Sequence, residues 1–207
     1  MNPTILSAFI PTFFLVSVTP GLCMTLAMTL GMSIGFRQAL WMMSGELVGV
    51  GLIAITAVVG AAAVMLKYPQ FFSLLKYGGG CYLAYVGINM WLSKGKMALS
   101  LEEPTKSQRA NRLGLASLGF FTAIGNPKGW AFFIALLPPF IDVNRPLAGQ
   151  LGLLVAIILL LEFLCLCLYS LGGGVMRRFL QHSQNVRMLN RVAATMMFGV
   201  TIWLVLD

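Results

Sequence analysis

Three ionisable side chains in this chain lie deep inside long apolar runs: Glu46, Lys128 and Glu162. A charge at the centre of a membrane helix costs about 2.5–3.5 kcal/mol on insertion scales, so residues of this kind face a cavity or a partner. Either glutamate could bind an ammonium group or hold a proton whose gradient drives transport. Lys128 could balance one of them or meet a substrate carboxylate. Close to these residues the apolar pattern is interrupted twice, at Thr19-Pro20-Gly21 and at Asn126-Pro127-Lys128. A proline there removes a backbone donor and frees a carbonyl where no water can satisfy it. Such breaks persist where protein or a cavity covers them, and paired breaks in two halves of a chain point to a secondary transporter. The half-helix after each proline aims its N-terminal amides and positive dipole end inward, which suits an anion. A zwitterion would fit: carboxylate toward the amides and Lys128, ammonium toward a glutamate. The expected substrate- and proton-binding residues are therefore Glu46, Glu162, Lys128 and Asn126. Thr19, Pro20, Gly21 and Pro127 would line the site at the breaks.

The elements that must hold these groups are membrane helices. Of 207 residues, 58% are hydrophobic and only 10% charged, against roughly 25% charged in soluble domains. Apolar runs at 4–33, 38–66, 70–93, 114–141, 147–175 and 189–206 predict an all-α polytopic membrane protein with six spans and broken helices 1 and 4. The whole of 1–207 is expected to be one membrane domain, with halves 1–93 and 114–207 joined by a polar cytoplasmic loop, 94–113. Arg37, then Lys94, Lys96, Lys106, Arg109 and Arg112, then Arg177, Arg178, Arg187 and Arg191 fall in the odd connections, against Lys67, Lys76 and Arg145 on the other side. Basic residues favour the cytoplasmic face, so both termini are expected to be periplasmic. Gly87-Ile88-Asn89-Met90-Trp91-Leu92 at the end of the third run is echoed by Gly199-Val200-Thr201-Ile202-Trp203-Leu204 at the end of the sixth. Three helices per half is an odd number, so two similar halves must run in opposite senses: a 3+3 inverted repeat.

Several function classes fit poorly. The formal charge of +8 lies in short connections, where topology puts it, with no basic stripe on a soluble scaffold, so no nucleic-acid partner is expected. Cys23, Cys81, Cys165 and Cys167 all sit inside apolar runs and read as small apolar filler. The single histidine, His182, falls between runs, so neither a metal hydrolase nor a metal site is expected, and no cofactor. An intramembrane enzyme and a non-transporting membrane partner are the weaker rivals. A divalent-cation exporter is the alternative carrier, favoured by two glutamates and opposed by Lys128 in the same layer. The N-terminal run lacks a basic n-region and exceeds an h-region in length, so it is expected to remain as a membrane helix. Ser44, Gly45, Gly49 and Gly51 around Glu46 would let another helix approach closely. Gly78-Gly79-Gly80 and Gly172-Gly173-Gly174 are expected to serve close packing too. Glycine-rich faces of this kind could pack within one protomer or between copies. Trp41, Trp91 and Trp203 suit interfacial belts.

These residues resemble a known family, the LysE/RhtB-type exporters of amino acids and their derivatives. The likeness covers the whole chain. It rests on the Pro20-Gly21 break, on Gly45-Glu46, and on Asn126-Pro127-Lys128 with Ala131-Phe132-Phe133 after it. It rests also on Lys76-Tyr77-Gly78-Gly79-Gly80-Cys81-Tyr82-Leu83-Ala84-Tyr85-Val86-Gly87. The family pattern at the first break is usually Pro-Gly-Pro, and here Leu22 takes the third position, which implies a milder kink. The resemblance implies export of an amino acid or related small metabolite across a bacterial inner membrane, by proton antiport.

Overall fold

Prolines and glycines decide where the helices stop. In the computed structural model, which describes residues 3–67, 69–93, 111–137, 140–141 and 146–206, α1 spans Pro3–Val18 and α2 spans Leu22–Ile34. Between them Pro20 lacks an N–H and disfavours helical geometry at Thr19, and the axes of the two segments differ by 56°. Gly35, at φ 83°, then takes a conformation that side chains resist, and the chain turns directly into α3, Phe36–Lys67. α4 spans Pro69–Leu92, α5 Arg112–Ile124 and α6 Pro127–Leu136. Pro127 is the first residue of α6, where its missing N–H costs nothing. α7 spans Leu147–Leu171, α8 Gly173–Gln181 and α9 Ser183–Leu206.

The described residues form helices and no strands. Among them, α3 and α7 are each long and apolar enough to cross a membrane, and the bent α1–α2 pair makes a third candidate. The linker expected at 94–113 lies outside the described residues as far as position 110. The same is true of Pro138, Pro139 and Arg145. One element was not expected. Arg177, Arg178 and His182 were read as a connection, whereas Gly173–Gln181 forms a short helix with Leu180 buried and both arginines exposed. Nine residues fall below the length at which hydropathy separates a helix from a loop.

The closest-packed pairs are α3 with α5 and α4 with α9, while α2 and α3 both rest on α7. Two apolar clusters fill the interior. One gathers Phe9 and Phe13 with Val50, Ile53, Phe132, Phe133, Leu154 and Ile158. The other gathers Cys23, Met24 and Met28 with Met42, Met43, Cys165, Leu166 and Tyr169. On α3, Glu46 falls between the residues of the two clusters; on α7, Glu162 does the same. The glutamates thus share the layer that separates two dry cores.

Candidate functional site

Glycine brings Glu46 to its place. A Cβ on Gly45 would overlap the backbone carbonyl of Ala116, and one on Gly119 would overlap that of Met42 and lie 2.9 Å from the Glu46 nitrogen. Helices α3 and α5 therefore meet backbone to backbone beside Glu46. Gly49 continues the contact, with Ala123 Cβ 2.8 Å from the position its own Cβ would take, whereas Gly51 has only ordinary contact with Leu159. Gly78 has nothing within 4 Å, so the close packing expected there is absent at that residue. Glu46 is fully buried, and neither of its carboxylate oxygens has a hydrogen-bond partner among the described residues. Glu162 and the Cys23 thiol lie within its electrostatic reach.

Thr19, Gly21, Cys23, Glu46, Asn126 and Glu162 line one cavity of about 70 Å³. A water needs about 10–15 Å³ of such space, so the cavity holds on the order of five. The rest of its lining is largely hydrocarbon and aromatic, with Phe13, Val50, Ile53, Phe132 and Phe133. The Phe13 ring centroid is 5.9 Å from that of Phe132 and 6.0 Å from that of Phe133. Of the eight site residues expected from sequence, five meet at this cavity: Glu46, Glu162, Asn126, Thr19 and Gly21. Pro20 is not among the lining residues. Pro127 and Lys128 begin α6 between the lining residues Asn126 and Gly129, and their side chains lie outside the described set. Leu22 and Pro127 start α2 and α6 at the cavity edge, so two helix N-termini abut it.

Several main-chain carbonyls at the two interruptions accept from a side-chain donor. Thr19 donates its hydroxyl to the Leu15 carbonyl at 2.6 Å, and Thr25 donates to that of Gly21 at 2.8 Å. The Val18 carbonyl accepts from the Tyr169 hydroxyl of α7 at 2.7 Å. At the second interruption the Ile124 carbonyl accepts from the Trp130 indole N–H at 2.8 Å. Tyr169 and Trp130 thus play the same part at the two sites. Sequence reasoning missed both, although a break without water demands a donor. It also took Cys23 as filler, while the structure has Asn126 donating to its sulfur at 3.9 Å on the cavity wall. Two carboxyls in a low-dielectric cavity repel when both are charged, and a proton or an ammonium ion relieves that repulsion.

Known proteins are similar to this chain over most of its length. The chain is 26% identical over 184 residues to a homoserine/homoserine lactone efflux protein of Salmonella typhimurium, covering 89% of this chain and 87% of that one. It is 25% identical over 191 residues to a leucine efflux protein of Enterobacter, covering 90% and 87%. An uncharacterized membrane protein of Vibrio cholerae is 23% identical over 192 residues, covering 93% and 92%. No solved structure matches. The profile of the LysE type translocator family matches residues 14–207. This multi-pass membrane protein belongs to the LysE type translocator family.

Proposed function

We propose that the protein exports amino acids or closely related small metabolites from the bacterial cytoplasm across the inner membrane, in exchange for protons. The observation that carries this reading is the single cavity on which Glu46, Glu162, Asn126 and the first interruption converge between two dry cores. Family membership and the efflux proteins named among its relatives support it.

In this reading the chain crosses the bilayer six times as a 3+3 inverted repeat. α1–α2 forms one broken span and α5–α6 another, joined through a cytoplasmic loop at 94–113, with both termini periplasmic. The substrate ammonium docks on Glu46 and Glu162. The carboxylate turns toward Lys128 and the N-termini of α2 and α6, where unpaired amides and the dipole favour negative charge. Asn126 orients the polar end, and the aromatic wall takes the side chain. Once substrate leaves, a proton replaces the ammonium on the glutamates, and the cavity returns without carrying a bare charge pair through lipid. The protein transports and does not catalyse. A divalent-cation cargo is less well supported: among the described residues no three His, Cys, Asp or Glu side chains are grouped as metal ligands.

The test is efflux from cells loaded with a panel of radiolabelled amino acids, with and without a protonophore. Efflux of one or more amino acids that stops when the gradient collapses is the expected result. Absence of amino-acid efflux together with cadmium or calcium efflux would overturn it.

A further inference from the structure

A second hollow, about 330 Å³, opens on the flank of the α4–α9 pair and shares no lining residue with the central cavity. Ile88, Trp91 and Leu92 of α4 and Thr195 and Phe198 of α9 line it. The two helices run antiparallel here: the Phe198 ring packs against Gly87, and Thr201 donates to the Gly80 carbonyl at 3.5 Å. Leu92 is 70% exposed and Ile88 50%, so the described residues leave both open. One end of the groove is positively charged. The Arg191 guanidinium stacks on the Trp91 ring at 5.6 Å from its centroid, and Arg187, one turn earlier on α9, is exposed. The only carboxylates among the described residues, Glu46 and Glu162, line the central cavity, so no described carboxylate faces either arginine.

Depth gives the groove a direction. Asn190, two turns into α9, donates to the Ser93 hydroxyl at 3.0 Å, tying the end of α4 to α9 beside Arg191. Arg112 stacks on Trp41 at 5.3 Å, a second arginine–tryptophan pair near the ends of α3 and α5. Amphipathic aromatic and basic residues at helix ends sit at headgroup level. Seven residues of helix separate Arg191 from Phe198, roughly 10 Å of rise. The groove therefore leads from headgroup depth into the hydrocarbon layer, with α4 and α9 in the bilayer as the six-span reading has them.

We propose that this groove is a binding site for an anionic phospholipid: one acyl chain lies along Ile88, Trp91 and Phe198, and the phosphate rests against Arg191 and Arg187. A zwitterionic lipid would fill the same hydrocarbon groove and bring its own cation to the arginines, so the charge selects the anionic headgroup. The site does not depend on what the central cavity carries.

Trp91 reports on the occupant directly. The full-length protein is reconstituted into phosphatidylcholine vesicles in which a fixed fraction of lipid, either phosphatidylglycerol or phosphatidylcholine, bears brominated chains. The Trp91 contribution to fluorescence is obtained by difference from Trp91→Phe. Brominated phosphatidylglycerol is expected to occupy the site roughly thirtyfold more readily than brominated phosphatidylcholine, the preference that two basic residues near the surface confer. In the double variant Arg187→Gln with Arg191→Gln, the two lipids should quench alike. Equal quenching by both lipids in the wild-type protein would overturn the proposal whatever the variant does. So would quenching by neither, the outcome if a second copy of the chain covers the groove. A headgroup preference undiminished in the double variant would overturn it as well.

Discussion

Gly119→Ala is the substitution whose cost the backbone geometry fixes most tightly. The added methyl would overlap the Met42 carbonyl oxygen and come within 2.9 Å of both the Met42 carbonyl carbon and the Glu46 nitrogen, where ordinary contact begins at 3.4 Å. The obstacle is backbone on a neighbouring helix, so no rotamer change relieves it, and α3 and α5 must separate by about 1 Å. Overpacking of this kind costs about 1–3 kcal/mol, while replacing glycine by alanine inside a helix returns about 1 kcal/mol. The expected net loss is up to about 2 kcal/mol, which lowers the melting midpoint of the detergent-purified protein and still leaves it folded. Transport should suffer more than stability, because the displaced segment carries Glu46. A misplacement of about 1 Å at a reacting group can cost on the order of a hundredfold in rate, so efflux per folded molecule should fall at least tenfold. Gly45→Ala, which meets the Ala116 backbone from the other side, should behave alike. Gly60→Ala, on the same helix with nothing within 4 Å, should keep both stability and efflux. The assay is efflux of a loaded radiolabelled amino acid, normalised to folded protein. A Gly119→Ala protein with the wild-type melting midpoint and efflux within twofold of wild type would refute the close-packing account of the site.

Further outcomes follow from the same geometry. Tyr169→Phe removes the donor to the Val18 carbonyl and leaves a buried acceptor unpaired, so the thermal midpoint should drop by the equivalent of about 1–3 kcal/mol; an unchanged midpoint would show that another group takes over. Trp130→Phe should cost a similar amount at the second interruption, measured the same way. Cys23 lines the central cavity while Cys81 is exposed on α4. A transported amino acid should therefore slow alkylation of Cys23 and leave that of Cys81 untouched, read by mass spectrometry of labelled peptides; equal protection at both would argue against substrate in the cavity.

Positions along the chain were legible from sequence, while orientation around each helix was not. The interruptions at Thr19-Pro20-Gly21 and Asn126-Pro127 carry their own punctuation, and Glu46 and Glu162 stand out because carboxylates are costly in apolar runs. Which face of a helix looks inward requires an amphipathic signal. Around Glu162 the α7 sequence is apolar on every side, from Ile157 to Leu161 and from Phe163 to Leu168, so nothing local distinguished the cavity face or the Tyr169 face. Cys23 illustrates the same limit: one position earlier or later it would face a different neighbour, and only the packing of α2 on α7 sets it beside Asn126. Glycines divided by their partners. Gly45 and Gly49 meet another backbone or a small side chain, whereas Gly78 faces outward from α4, and a sequence shows the glycine without its neighbour. Trp41 and Trp91 lie half exposed with arginines stacked on them, in keeping with an interfacial belt, while the Trp203 side chain lies outside the described residues.

In the proposed cycle the carboxyls of Glu46 and Glu162, facing one cavity, carry the substrate ammonium and the exchanged proton. Purified protein in vesicles, loaded with a labelled amino acid that the wild type exports and subjected to an imposed pH gradient, tests it most directly. Gradient-driven efflux in the wild type and at least a tenfold loss in both Glu46→Gln and Glu162→Gln, with folding intact, is the expected result. Wild-type, gradient-driven efflux in either glutamine variant would contradict it.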